Sequence, residues 1–393
     1  MKDERQDLEL REGVTPYFTL PQSALVSTEA LSASFNKVTN SYKFYWFLSI
    51  LEEYTTHDNP IIQVDDIIAR MLSHVWYPVT YFRLHFGKQD KLSTIVSEVR
   101  AVSNIIDEKD PVAIRRAIQA LLAGEDFLPQ QKLVQSLRRY VPTRFLTPWF
   151  PAQLKGVRDG QKDKKIIGLA EAAFNEASQR SPLYRFVQAN KAIEIHPDWR
   201  YYLFSQVAIL KGFCLWKLIQ YLQKHNPNTP GISEKLFPPQ KRSLKSAWDF
   251  WKIVFKERPT PLQCLYSHQE LTQQSASLDH FLPWSYVAHD LMWNLIPVLK
   301  SANSSKSNCL PDLQTYFDVF AKEQYNAIQI VGNTNKKKLL EDYIILTKEE
   351  SIEQLLQMKQ HTFSHHLKDV LSPQLQIAKN MGFEENWTYS LSS

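Results

Sequence analysis

The chain has 393 residues, of which 44% are hydrophobic and only 10 are glycine; it can bury a large core in two or three domains, is too apolar for a disordered chain, and has too little glycine for a turn-rich all-β fold. Forty-six basic against 41 acidic residues leave a net charge of +5, which permits an anionic partner but does not identify one, because a nucleic-acid footprint depends on clustering of charge. Three cysteines exclude a disulfide framework and fit a reducing cytoplasm. The start MKDERQDLELREG lacks the apolar core of a signal peptide and no apolar run approaches membrane-spanning length, so a soluble cytoplasmic protein without a membrane partner is expected.

Residues 1–13 read as a charged, solvated lead, and Tyr17 to Pro21 as a short extended segment. Ser34 to Tyr54 is expected to be a helix buried nearly all round. A second helix is expected from Val64 to about Ser73, opened by Asp65 and Asp66, followed by an aromatic stretch interrupted at Pro78. Further helices are expected from Lys91 to Val102 and from Asp110-Pro111 to Ala123, where Gly124 ends the second. Lys132 to Arg144 concentrates Arg138, Arg139 and Arg144, and Lys155 to Lys165 reads as a basic loop; these are candidate phosphate contacts, with a merely solvated surface as the alternative. One long helix, a central strut, is expected from Trp199 to Lys224, and the run HNPNTPG at 225–231 breaks it and marks a domain boundary. A helix from Lys241 to Lys256 places Trp248 and Trp251 on its buried side, and a hairpin follows over Gln263 to Leu271. Beyond Pro311, helices are expected from Asp312 to Ile328, from Lys336 and around Ile352 to Leu356, with His365 and His366 in a further helix. No Gly-rich phosphate loop is present, which argues against an NTP-driven motor.

The most informative stretch is LDHFLPWSYVAHDLMWNLIPVLKSANSSKSNCLP, residues 278–311. Its pattern is strand, long loop, strand, short helix. Asp279 and His280 are adjacent, so on a strand they point to opposite faces; both reach one site only if the strand ends or bends there, as Pro283 allows. Asn303 and Lys306, three apart, share a helix face. An Asp carboxylate and an Asn amide oxygen are a sparse set of hard ligands suited to Mg²⁺, and a neutral imidazole can take a proton from water.

With D-H-x-x-P, N-L and N-x-x-K-S in this window, the stretch resembles the HNH (ββα-metal) endonuclease family. The resemblance implies that Asp279 and Asn303 hold the metal, Mg²⁺ or Mn²⁺, that His280 is the general base, that Asn294 is a clasp holding His280 in place, and that Lys306 is a charge on the phosphate. The last metal ligand is His in the name-giving pattern and Asn303 here, as in the HNH domain of RNA-guided CRISPR effectors, whose N-x-x-K-S ending is similar. Where many relatives carry a zinc-binding C-x-x-C before the motif, this chain has Cys264 and Ser267, so no structural zinc is expected. Asp290 reads as a turn cap. Lys300 and Lys306, with Arg138, Arg139 and Arg144, are the candidate nucleic-acid contacts.

The expected architecture is therefore α+β and predominantly α-helical: a helical domain over 1–230, a connecting helix over 231–261, the nuclease module over 262–311 and a helical segment over 312–393. The resemblance suggests an endonuclease cutting DNA, of the bacterial restriction or phage-defence kind. The alternatives are a subunit active only inside a larger, RNA-guided or other nucleoprotein complex, and a binding protein with a decayed motif. HNH modules usually cut one strand each, so a double-strand break would need two events or a homo-oligomer.

Overall fold

The structure, a computed structural model, describes residues 19–36, 38–103, 110–124, 131–176, 180–239 and 242–390. The expected charged lead, Tyr17, Phe18 and Lys241 lie outside the described residues. The chain divides into two compact units, one of 1–80 with 84–226 and one of 81–83 with 227–393.

In the first unit the elements are α1 (Thr28–Ala33), α2 (Tyr42–His57), β1 (Ile61–Gln63), α3 (Val64–Thr80), α4 (Leu92–Val102), α5 (Pro111–Ala123), α6 (Lys132–Phe145), α7 (Asp159–Phe174), β2 (Tyr184–Val187), β3 (Ala192–Ile195), α8 (Pro197–Ser205) and α9 (Val207–His225). Helix α2 is buried on nearly every side, from Phe44 to Leu51, and packs against α3 and α9. Asp110 caps α5 by accepting from the Val112 amide, with Pro111 in the first turn. Several findings depart from the sequence reading: α2 begins at Tyr42 rather than Ser34, and α3 runs through Pro78 to Thr80 instead of ending near Ser73. Strands β1, β3 and β2 form a small antiparallel sheet inside the region expected to be helical. The basic segment around Lys162 is helical, because Ile166, Ala170 and Phe174 of α7 are spaced to face inward. The strut is two helices, α8 and α9, bent by 81° at a break beside Gln206. No single helix among the described residues is long and apolar enough to cross a membrane.

The second unit holds α10 (Lys245–Glu257), β4 (Ala276–His280), α11 (Trp284–Val287), β5 (Leu295–Leu299), α12 (Lys300–Lys306), α13 (Leu313–Gly332), α14 (Glu341–Thr347), α15 (Ile352–Gln357) and α16 (Gln360–Asn380). The predominantly helical α+β architecture is thus the observed one. Strands β4 and β5 pair antiparallel, with Asp279 opposite Ile296 and His280 opposite Leu295. In a two-stranded sheet both strands are edges, so Pro297 is tolerated opposite Leu278. One apolar cluster runs from Ala247 through the hairpin to Phe383, so the connecting helix, the ββα segment and the C-terminal helices share a core. Trp251 is fully buried on α10, while Trp248 is only partly so.

Candidate active site

Two helices fix the end of the hairpin where Asp279 and His280 lie. The carbonyl of Leu295, the residue paired with His280, accepts from Trp251 Nε1 of α10 at 3.2 Å and from Gln324 Nε2 of α13 at 2.9 Å. Tyr343 of α14 donates to the Gln324 amide oxygen at 2.6 Å and so sets that amide's orientation. Phe281 stacks on Phe320 of α13 with ring centroids 4.2 Å apart. The backbone leaving His280 is consequently held against a rigid wall.

Asn294 makes the expected clasp to the loop. It is fully buried, accepts from the Leu282 amide at 2.8 Å and donates to the Leu282 carbonyl at 3.0 Å. Its own carbonyl accepts from the Phe281 amide at 2.8 Å. The two ends of the long loop are thereby closed on each other directly after His280.

Side-chain alternation divides the site into two faces. Ser277 and Asp279 share one of them, and α12 lies across it. Asn303 Nδ2 donates to Ser277 Oγ at 3.0 Å and to the Leu278 carbonyl at 3.2 Å. One turn on, Lys306 Nζ reaches Asp279 Oδ1 at 3.1 Å and the His280 carbonyl at 2.7 Å. Tyr266, from the preceding hairpin, donates to Asp279 Oδ2 at 2.6 Å. Burial and the neighbouring Asp279 charge push the Tyr266 hydroxyl well above its ordinary pKa, so it stays a donor. Lys306, expected to stand free beside a phosphate, is instead fully buried on the carboxylate.

The opposite face carries His280. Its Nε2 lies 2.7 Å from Asp290 Oδ1, and the Arg242 guanidinium pairs with the same oxygen. Arg242 also stacks 4.2 Å over the Trp284 ring. Burial works to raise the Asp290 pKa, but the His280 hydrogen bond and the Arg242 charge outweigh it and hold the carboxyl below its usual range. Burial, assisted by repulsion from His280, depresses the His289 pKa to about 4.

The structure therefore gives Asp279, Asn303 and Lys306 one set of contacts and His280 another, and it ends strand β4 at His280, with Pro283 three residues on, which is the strand end the sequence reading required for both side chains to reach one site. Sequence reading missed three contributors. Asp290 follows His280 by ten residues in the same loop and was the most accessible of them. Arg242 lies 38 residues upstream of His280 with no local signal, and Tyr266 is one aromatic among many. Of the other basic candidates, Arg138 pairs with Asp65 at 2.7 Å and Arg144 with Asp163 at 2.6 Å, so each has its charge offset within its own unit. Arg139 is 64% exposed, and Lys300 donates to the Gln274 carbonyl at 2.8 Å.

An antiparallel strand pair crossed by a short helix, with an acid, an imidazole and two carboxamides at its end, is the architecture of a ββα nuclease module. Residues 264–312 match the family model described as HNH endonuclease, and this segment of the chain is an HNH endonuclease domain. No curated protein and no solved structure matches the chain.

HNH nucleases generally depend on a divalent metal. Asp279 and the Asn303 amide oxygen are hard oxygen ligands of the kind such an ion takes, and in this structure the Tyr266 hydroxyl and the Lys306 ammonium occupy the two Asp279 oxygens. The buried Asp279 carboxylate requires a positive partner, and the Lys306 ammonium supplies it in this structure. Among the described residues no group of three or more His, Cys, Asp or Glu side chains is placed to bind a metal ion.

Proposed function

We propose that the protein is a metal-dependent endonuclease that hydrolyses phosphodiester bonds of DNA, serving as a bacterial restriction or phage-defence effector. The observation that carries this reading is the closure of α12 over β4, which sets Asn303 and Lys306 against the strand of Asp279 and His280 while Asn294 clasps the loop behind. His280 takes the proton from the attacking water. Asn294 keeps the backbone of that histidine in place. Asp279 and Asn303 would hold Mg²⁺ or Mn²⁺, which when bound offsets charge on the phosphoryl oxygens and on the leaving 3′ oxygen. Lys306 brings a second positive charge to the same strand end, and Lys300 on the same helix is a proposed phosphate contact, positioning the duplex without reading its sequence, with Arg139 proposed separately as a phosphate contact of the first unit.

The test is nicking of supercoiled plasmid across Mg²⁺, Mn²⁺ and chelator. Wild type should cut with either ion and stop with chelator, and His280→Ala should bind DNA but not cut it. Cutting by His280→Ala at the wild-type rate would overturn the reading.

A second reading, a nuclease subunit that works only inside a nucleoprotein complex, is favoured by exposed apolar side chains. Tyr201, Phe204 and Ile209 in the first unit are 79%, 61% and 51% exposed, which suits a protein partner. The N-x-x-K-S ending at Asn303 to Ser307, similar to that of RNA-guided effectors, points the same way. Wild-type protein that is silent alone and cuts once a partner is added would select it.

A further inference from the structure

We infer that Asp290 is the positioning residue for His280 and that it assigns the proton-accepting role to Nδ1 of the ring. The inference rests on the endonuclease reading above.

A neutral imidazole has one nitrogen that donates and one that accepts, and the partner of the first decides which is which. His280 Nε2 lies 2.7 Å from Asp290 Oδ1. An ionised carboxylate only accepts hydrogen bonds, so Nε2 must carry the proton. Asp290 is ionised, since the His280 hydrogen bond and Arg242 prevail over its burial. Arg242 Nη1 is also 3.4 Å from Nε2, but a guanidinium can only donate, and two donors facing one another do not bond. The guanidinium therefore acts through the carboxylate: it pairs with the same Oδ1, and its stacking on Trp284 limits where it can go. Asp290 is held from both sides.

Nδ1 is left with the lone pair, and no hydrogen bond engages it among the described residues. The backbone at His280 is fixed by other means, its carbonyl taken by Lys306 and the following amide by Asn294. The ring thus has one tautomer and one tether, with Nδ1 free to accept a proton from water. Replacing Asp290 by Asn would put a group that can also donate beside Nε2, which permits the opposite tautomer. In catalytic triads the same exchange lowers turnover sharply while leaving geometry intact.

Two measurements on the full-length chain test this. The first is a long-range proton–nitrogen NMR spectrum of protein labelled with ¹⁵N-histidine, with His280 assigned by its loss in His280→Gln. The expected signature is a protonated Nε2 and a bare Nδ1 in wild type, shifted toward the other tautomer in Asp290→Asn and restored in Asp290→Glu. A wild-type ring protonated at Nδ1 would overturn the inference without reference to turnover.

The second is steady-state plasmid cleavage. Asp290→Asn should lower kcat by about 10²- to 10⁴-fold with KM unchanged, the range expected when an acid–base residue loses its alignment. Asp290→Glu should recover much of the loss, and the double variant with His280→Gln should be no slower than His280→Gln alone. If His280→Gln is inactive and Asp290→Asn cuts at the wild-type rate, the positioning role is wrong and the endonuclease reading stands. If His280→Gln itself cuts normally, both are wrong.

Discussion

Asp279 is 3% exposed and has both carboxylate oxygens engaged, one by Tyr266 and one by Lys306. A pair buried to this degree adds little net stability, yet removing one partner leaves a charge with nowhere to go. Lys306→Met should therefore cost about 3 to 5 kcal/mol in urea unfolding, and the double variant Asp279→Asn/Lys306→Met should recover a good part of it. If the double variant is as unstable as the sum of its single variants, Lys306 and Asp279 are not energetically coupled. At this scale Asp279, His280, Asn294, Asn303 and Lys306 could be picked from the sequence because their spacing is local. The Lys306 contact could not, since the same lysine would be solvated if α12 lay a few ångströms further from β4.

The unit that presents these groups is the loop between β4 and β5, closed by Asn294. Asn294→Ala removes an acceptor from the Leu282 amide and a donor from its carbonyl, both buried, at roughly 1 to 3 kcal/mol for each orphaned group. Hydrogen exchange should then quicken at the Leu282 amide and through the loop up to Trp293, with α13 unaffected; unchanged protection at Leu282 would show that the clasp is not what orders the loop. The strand, loop, strand and helix of this module could be read in the sequence because each has a strong local signal: short apolar runs, Pro283, and an N-x-x-K face. Helix α7 and the break between α8 and α9 were missed for the converse reason. The polar start of α7 conceals an inward face that becomes visible only at Ile166 and beyond, and the chain around Gln206 contains no proline or glycine to announce an 81° bend.

Across the whole molecule, each compact unit carries an ionisable group, half-buried Glu52 in the first and buried Lys235 in the second, that gives it its own pH signature. In the first unit, burial tends to raise the Glu52 pKa, but His74, Lys211 and Arg70 overcome it and the value falls to about 2 from 4.5. A carboxyl with a depressed folded pKa stabilises fully above 4.5 and loses that contribution as pH falls toward 2. In the second unit, burial lowers the Lys235 pKa from 10.5 to about 7, with the ammonium donating to the Pro230 and Tyr286 carbonyls. The unfolded chain binds more protons than the folded one between pH 7 and 10.5, so stability rises with pH across that window. Unfolding followed by probes in each unit should show Glu52→Gln flattening the acid slope of the first unit alone, and Lys235→Met flattening the alkaline slope of the second alone. Both slopes disappearing together with either substitution would mean that the units unfold as one cooperative body.

By itself the sequence determined the resemblance of residues 262–311 to an HNH module, the order of its strands and helix, and the mainly helical character of the rest, because each depends on spacing between residues near one another in the chain. Only the tertiary structure decided that β4 ends at His280, that Lys306 sits on a carboxylate, and that Arg242 and Asp290 join His280. Those contacts bring together segments far apart in sequence. Their energies depend on burial, and burial is a property of the packed core shared by α10, the hairpin and α13.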